Sequence, residues 1–334
     1  VNWLLNTFVL AGVVGLIVVL LATPIAKRLA EKSGAIDVPD DERRVHTQPI
    51  PRWGGLAVYL AVLTAWLIVY PLSKVPAGQA SIGPYTLNSL WIMGIGGAVV
   101  VFGMLDDKYG FSAGLQAVFL IVCGIALSHN KLGNIRIEGI TDPFGGGGHH
   151  YINFSLLNSV LITTAFVFVI TKTMDTIDGI DGLASGVAAI SAMTMCILAL
   201  YHQPLVGVLS ASAAGACIGF LRYNFHPAKI FLGTGGAQFL GFFLAALSIQ
   251  GAMKTAAAVA FVVPLLVFGV PVWDAFVVVI RRLLNKSPIT RADKRHLHHA
   301  LLGKGLNQRQ AALILYGVAI VLCGTAILVV KLAA

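Results

Sequence analysis

The chain reads as an all-α, polytopic membrane protein, a single integral-membrane domain over residues 1–334 with about ten transmembrane helices. Three observations carry this expectation. Of the 334 residues, 57% are hydrophobic and only 11% charged, with a mean hydropathy of +0.85, too apolar for a water-soluble globule of this size. The apolar residues are gathered into runs long enough to cross a hydrocarbon layer of roughly 30 Å as helices. Strict alternation of apolar and polar residues is absent, which argues against a barrel.

The first run, Leu4 to Ile25, has no basic region before it and no small-residue cleavage site after it. It also exceeds the core of a signal peptide, so it reads as a retained helix. Runs at 53–72, 88–105 and 113–128 follow, the last of them short. After a polar stretch come 156–172, 182–200, 204–222 and the short 237–250, and 255–280 and 310–331 close the series. The polar stretch 129–155 holds Gly145 to Gly148 followed by His149 and His150. It reads as a Gly-rich outer loop, with a metal site as the alternative. Cys123, Cys196, Cys217 and Cys323 all fall inside apolar runs, as small core residues rather than a disulfide or zinc framework.

Charge gives the orientation. If ten helices alternate, the loops 26–52, 106–112, 173–181, 223–236 and 281–309, with flanking Lys172 and Arg222, share one side and hold 18 of the 23 lysines and arginines. The positive-inside rule makes that side cytoplasmic. Of the 14 acids, only Glu138 and Asp142 lie on the other side. The net charge of +9 is thus mostly an orientation signal, with the holding of anionic phosphates an addition to it. No nucleic-acid partner is expected. A secondary transporter, the second class considered, would place its carboxylates nearer mid-membrane.

Four blocks carry chemistry. Asp106 and Asp107 stand side by side at the end of an apolar run, where carboxylates are costly unless compensated. On a helix their side chains diverge by about 100°, so different tasks are expected, one toward a proton or metal and the other toward a neighbouring group; two solvated residues at a helix end is the plain alternative. Asp175, Asp178 and Asp181 follow at i, i+3 spacings, a row of like charges about 5–6 Å apart if helical, which demands a cation. Lys172 serves in part and a divalent cation with oxygen ligands would serve better. Gly179 and Gly182 leave room for a phosphate or sugar at the backbone, or make an ordinary Asp-Gly turn. His296, His298 and His299, preceded by Asp293, Lys294 and Arg295, put His296 and His299 on one helical side. Without further Cys or His nearby, a phosphate cradle suits them better than zinc, and a basic interfacial loop is the alternative. The first cytoplasmic loop, with Asp37, Arg43, Arg44, His46, Pro49, Pro51 and Arg52, suits an anionic headgroup or nucleotide.

Together these blocks resemble the polyprenyl-phosphate N-acetylhexosamine-1-phosphate transferase family, relatives of the phospho-muramoyl-pentapeptide translocase. The resemblance runs from Asp37 to Leu302, through Arg43-Arg44-Val45-His46, Pro49-Ile50-Pro51-Arg52-Trp53-Gly54-Gly55, Asp106-Asp107 and Asp178-Gly179-Ile180-Asp181-Gly182. It continues through Asn224, Pro227-Ala228, Phe231, Gly233, Pro271, Asp274, Arg281-Arg282 and the His-x-His-His block, whose form resembles the hexosamine branch. The resemblance implies transfer of N-acetylhexosamine-1-phosphate, GlcNAc-1-phosphate foremost, from a UDP-N-acetylhexosamine to undecaprenyl phosphate with release of UMP. It also implies Mg²⁺ (or Mn²⁺), a bacterial inner-membrane location, a cytoplasmic-face active-site cleft with a lipid-facing groove, and room for a homodimer.

By resemblance Asp106 activates or orients the acceptor phosphate, Asp107 supports it, and Asp178 and Asp181 complete the catalytic centre. Arg43, Arg44, His46, Lys172, Asn224, Arg281, Arg282, Arg295, His296, His298 and His299 are the implied substrate-binding set. The family's Asn-x-x-Asn is replaced here by Lys172 and Asp175, and its Gly-Asp-x-Gly-Ser by Gly233-Thr234-Gly235-Gly236-Ala237. Since the second Asn and that Asp serve family members as Mg²⁺ ligands, a swap is expected, with Asp175 and Thr234 as metal ligands. A degraded metal site in a silent or altered lipid-binding relative is the rival. The family's Lys and Gln positions after the Asp pair hold Gln116 and Leu120, and Lys108 or Lys172 would supply the missing cation.

Overall fold

The computed structural model describes residues 2–39, 48–72, 84–129, 134–141, 151–200, 203–252, 263–284 and 296–333. Its helices are α1 (Asn2–Ser33), α2 (Gly54–Leu72), α3 (Pro84–Tyr109), α4 (Ala113–Ser128), α5 (Leu156–Ile177), α6 (Leu183–Ala199), α7 (Pro204–Asn224), α8 (Gly233–Ala252), α9 (Gly269–Leu284), α10 (Leu297–Gly303) and α11 (Gln308–Ala333). Two short antiparallel pairs join them: β1 (Ile36–Asp37) with β2 (Ile50–Pro51), and β3 (Gly139–Thr141) with β4 (Tyr151–Asn153). Neither pair was expected, because two or three residues carry no readable alternation.

Among the described residues five helices are long and apolar enough to cross a membrane, α1, α3, α5, α7 and α11, and three shorter apolar stretches lie in α2 (Gly54–Val69), α4 (Ala113–Ser128) and α6 (Leu183–Ala199). The first helix outruns its apolar stretch to Ser33, where charged residues such as Lys27 and Glu31, 3.8 Å apart, continue it. Gly34, at φ +74°, ends it in the left-handed conformation that glycine adopts without strain.

The expected run 255–280 is not one helix in its described part. Residues 263–267 are helical, Phe268 turns, and α9 begins at Gly269. Pro271 has no N–H to give the carbonyl of Val267, and the Ser191 hydroxyl donates to that carbonyl instead at 2.8 Å. The break is therefore satisfied from α6, as a buried break in an apolar environment must be.

Small residues set how closely the inner helices approach, since packing rather than water exclusion drives association in lipid. Almost all of α7 is buried, and its Ser212 and Gly215 lie against the backbone of Gly15 and Gly12 on α1. Outward faces of α1 and α11 keep large apolar side chains exposed, among them Leu21, Ile25, Val321 and Leu328. The pattern suits contact with lipid tails. At one end of the bundle Asn88 of α3 donates to Gln250 of α8 at 3.1 Å; at the other end six helix termini meet around a cavity.

Candidate active site

The cavity, about 320 Å³, is lined by Asp37, Arg52, Asp107, Asp175, Asp178, Gly179, Ile180, Asp181, Asn224, Phe231, Gly233, Thr234 and Gln308. Its volume is at the low end of the roughly 300–1,000 Å³ of ligand pockets, so it suits a phosphate-bearing part of a ligand better than a whole nucleotide-sugar. The carboxyl ends of α3, α5 and α7 bring Asp107, Asp175 and Asn224; the amino ends of α2, α8 and α11 bring Arg52, Thr234 and Gln308. Those amino ends add positive dipole potential where the carboxylates crowd.

Glycines bring α8 close enough to serve the site. Gly235 lies against Gly103 of α3, and Gly236 against Gly55 of α2, with backbone where a Cβ would have to go. The chain before α8 is held to the start of α2: Gly54 and Gly55 donate to the carbonyls of Phe231 and Leu232 at 2.9 and 2.8 Å, and Phe231 donates to Pro51 at 2.9 Å. As a result the Thr234 amide donates to Asp107 Oδ1 at 3.1 Å.

The two adjacent aspartates diverge, as expected of helical neighbours. Asp107 faces the cavity, 3.5 Å from the Arg52 guanidinium, and its buried Oδ2 has no hydrogen-bond partner. Asp106 does not line the cavity. Its Oδ1 accepts from the Phe111 amide at 2.8 Å and from Gln116 Nε2 at 3.0 Å, ordering the α3–α4 turn. From Gln116 a chain of polar contacts leads back to the site. Lys172 Nζ donates to Gln116 Oε1 at 3.0 Å and to Asp175 Oδ2 at 2.6 Å, and Gln238 Nε2 donates to that same Oδ2 at 3.3 Å. Of the two cations weighed beside Gln116, it is Lys172 that reaches it; Lys108 lies over the Tyr109 ring.

The three spaced aspartates do not form a helical row, because α5 ends at Ile177. Asp175 is on the helix, Asp178 is its C-cap, and Asp181 sits in the following turn. Asp181 Oδ2 accepts from the Ala228 amide at 3.0 Å and meets His226 Nδ1 at 2.7 Å, while its own amide donates to Gln308 Oε1 at 3.1 Å. Asp178 opens onto the cavity and is half-buried. Burial first, then the carboxylates of Asp175 and Asp107, push it up to about 8. Asn224 is committed to structure as well as to the cavity wall, accepting from Ser185 at 2.8 Å and donating to Ile230 at 3.1 Å.

At Gly179, whose backbone lines the cavity, the place a Cβ would take is filled by the His298 ring, and Gly182, at φ +77°, makes the left-handed turn that starts α6. His296 is not on a helix: it is the extended N-cap of α10, with Nδ1 2.8 Å from Asp274 Oδ2. His298 and His299 are on α10, with ring centroids 4.4 Å apart, and His298 lies 5.7 Å from His296. The cluster thus backs Gly179 rather than lining the cavity. Arg281 and Arg282 form the last turn of α9. Arg43, Arg44, His46 and Arg295 lie outside the described residues. Gln238 and Gln308 were missed, having no local signal; Arg52, read in the sequence only as one of several first-loop cations suited to an anion, is the one of those cations that lines the cavity among the described residues.

The donor set can be tested against a divalent cation. Asp175 and Thr234, the expected ligands, line the same cavity as Asp107, whose buried Oδ2 has no hydrogen-bond partner. Among the described residues no three His, Cys, Asp or Glu side chains converge as a ready-made cage. Mg²⁺ needs none, since it keeps several waters and takes one or two carboxylates plus substrate phosphates. The residues fit such an ion.

Carboxylates, a guanidinium and helix amino ends surround one cavity at the common end of apolar helices, an arrangement suited to an anionic ligand with a cation. Residues 89–252 match glycosyl transferase family 4. The chain is 36% identical over 314 residues, 92% of its length and 81% of the relative, to "Probable undecaprenyl-phosphate N-acetylglucosaminyl 1-phosphate transferase" of Bacillus subtilis strain 168. It is 33% identical over 342 residues, 93% of its length and 79% of the relative, to "Decaprenyl-phosphate N-acetylglucosaminephosphotransferase" of Mycolicibacterium smegmatis. It is 27% identical over 307 residues, 88% of its length and 89% of the relative, to "Phospho-N-acetylmuramoyl-pentapeptide-transferase" of Caldicellulosiruptor bescii. The chain belongs to glycosyl transferase family 4, as a multi-pass membrane enzyme of the polyprenyl-phosphate N-acetylglucosamine-1-phosphate transferase group.

Proposed function

We propose that this chain transfers N-acetylhexosamine-1-phosphate, GlcNAc-1-phosphate foremost, from a UDP-sugar to undecaprenyl phosphate at the cytoplasmic face of a bacterial inner membrane, starting a lipid-linked envelope glycan. An oxygen of the lipid phosphate bonds to the sugar-bearing phosphorus of the donor, the bond from that phosphorus to the UMP oxygen breaks, and UMP leaves. The observation that supports this most is the acid-lined cavity at the common helix ends, with Asp107 Oδ2 unpartnered inside it.

In this reading Asp107 takes or orients the last proton of the acceptor phosphate through Oδ2. Asp178 stands beside it, and Asp181 fixes the His226–Ala228 segment and Gln308 around the wall. Asp106 acts from behind, holding the turn that carries Asp107 and, through Gln116, the Lys172 ammonium beside Asp175. His298, with His296 and His299 beside its ring, backs the Gly179 turn, and Arg43, Arg44, His46, Arg281, Arg282 and Arg295 supply charge for the donor. Mg²⁺, when bound, screens the two approaching phosphates and polarises the one attacked.

Asp175 and Thr234 are proposed as its ligands in exchanged positions, and both line the one cavity. A carboxylate moved from one wall to the other leaves the charge around the ion unchanged. Asp175→Asn is expected to lower Mg²⁺ affinity at least tenfold, read by Mn²⁺ paramagnetic binding as well as by turnover, and Asp175→Asn with Thr234→Asp to recover it. If Asp175→Ala binds metal as the wild type does, the exchange is wrong. The function itself is tested by supplying the purified protein with UDP-N-acetylglucosamine, undecaprenyl phosphate and Mg²⁺. UMP and a lipid-linked sugar pyrophosphate are expected; lipid binding without UMP, across a panel of UDP-sugars, would leave a silent relative instead.

A further inference from the structure

Among the described residues that line the cavity, Arg52 is the one cation, facing five aspartates. Its setting is built rather than incidental. The Arg52 amide donates to Ala35 at 2.9 Å, and the Trp53 indole N–H donates to the Met104 carbonyl at 3.1 Å, so the backbone is fixed on both α1 and α3 sides. Its side chain is then aimed by Asp37, whose Oδ1 accepts from Nη2 at 2.7 Å across the β1–β2 pair. The other terminal nitrogen, Nη1, is only in loose contact with Asp107 Oδ1 at 3.5 Å, and that oxygen already accepts from Thr234. A guanidinium anchored through one nitrogen and loosely held through the other leaves Nη1 to give a charge-assisted hydrogen bond to a phosphate oxygen in the space in front of Asp107.

We infer that Arg52 binds a phosphate of the substrates through Nη1, with Asp37 as the positioning residue that aims it. The inference rests on the transferase reading for the identity of the phosphate. A carboxylate-lined cavity repels phosphate, and a cation beside Asp107 lets the anion come within reach of that side chain. The phosphate is either the donor diphosphate or the lipid phosphate, and kinetics separates the two.

The test compares full-length wild type with Arg52→Gln, Arg52→Lys and Asp37→Asn, measuring KM for UDP-N-acetylglucosamine and for undecaprenyl phosphate separately. A lost charge-assisted hydrogen bond corresponds to about a 10- to 150-fold loss in affinity. Arg52→Gln is therefore expected to raise one KM by about that factor. Arg52→Lys should recover part of it, and Asp37→Asn should raise the same KM several-fold with kcat little changed. A raised nucleotide-sugar KM assigns the donor diphosphate, and a raised lipid KM the acceptor. Unchanged KM values in Arg52→Gln, or a fall in kcat alone, overturn the assignment. Should Arg52→Gln fail to fold, Arg52→Lys decides by the same criterion. Thermal stabilisation by inorganic pyrophosphate gives a second readout that needs no turnover. Stabilisation of the wild type and not of Arg52→Gln supports the assignment even if no UMP is released, in which case the transferase reading alone has failed; equal stabilisation of both overturns it.

Discussion

A histidine folded into the protein is a different chemical object from one on a basic loop. His298 is 2% exposed, with its ring against Gly179 and 4.4 Å from the ring of His299. Burial, then the neighbouring His299, pulls its pKa down to about 3, far under the ordinary 6.5 or so. The neutral ring is therefore part of the fold, and a proton is taken up only by the unfolded chain between those two values. Stability from this residue is complete above about pH 6.5 and declines as pH falls toward 3, by about 1.4 kcal/mol per unit. Asp178 works in the opposite direction, since its raised value favours the fold as pH falls below about 8. Only a difference isolates either group, so melting temperatures of wild type and His298→Gln should be compared from pH 7.5 to 5. The wild type is expected to lose more of its stability on acidification than the variant; parallel curves would show that His298 is not buried neutral. The residue types of this cluster were legible in the sequence. Its direction was not, because the contacts of His298 with Gly179 and of His296 with Asp274 join segments that only the tertiary fold brings together.

At the scale of elements, the site depends on how near α8 can come to α3 and α2. Gly103 and Gly235 meet backbone to backbone, whereas Gly94 on the same helix α3 has open space at its Cβ position. Gly103→Ala must push α8 away, at roughly 1–3 kcal/mol for overpacking, and in doing so withdraw the Thr234 amide from Asp107. Gly94→Ala is expected to leave melting temperature and activity within error or slightly raised. A Gly103→Ala protein with wild-type turnover would mean that the Asp107–Thr234 contact is dispensable. Helices of this kind are legible because an apolar run of sufficient length has one outcome in a membrane. The run 255–280 misled because composition alone does not show where a chain breaks; Pro271 was visible, but not the Ser191 hydroxyl that accommodates it. Contacts such as Asp107 with Thr234 and Asp181 with Gln308, each spanning 127 residues, leave no local trace. Lys172 with Asp175, three residues apart, did.

For the whole molecule the decisive quantity is which compartment the cavity faces. Helix α5 has 22 residues, about 33 Å at 1.5 Å per residue, and it carries the β3–β4 hairpin before its first turn and Asp175 in its last. The hairpin and the cavity are therefore separated by the thickness of a hydrocarbon layer. In the proposed reaction the donor nucleotide-sugar is soluble and made inside the cell, whereas the polyprenyl phosphate is confined to the membrane with its headgroup at the interface. The two can meet only if the cavity opens at the inner face, the face to which the lysine and arginine bias also points. The four native cysteines are all buried, so single cysteines can be placed as reporters on an otherwise unreactive background. Tyr151→Cys and Asn153→Cys report the hairpin, and Lys229→Cys and Lys304→Cys the cavity end, all four positions being exposed. A membrane-impermeant thiol reagent added to intact spheroplasts is expected to label the first pair and to reach the second only after permeabilisation. Labelling of the cavity pair from outside would reverse the orientation and deprive the donor of access, while disagreement between Lys229 and Lys304 would break the single cavity on which the catalytic assignment depends.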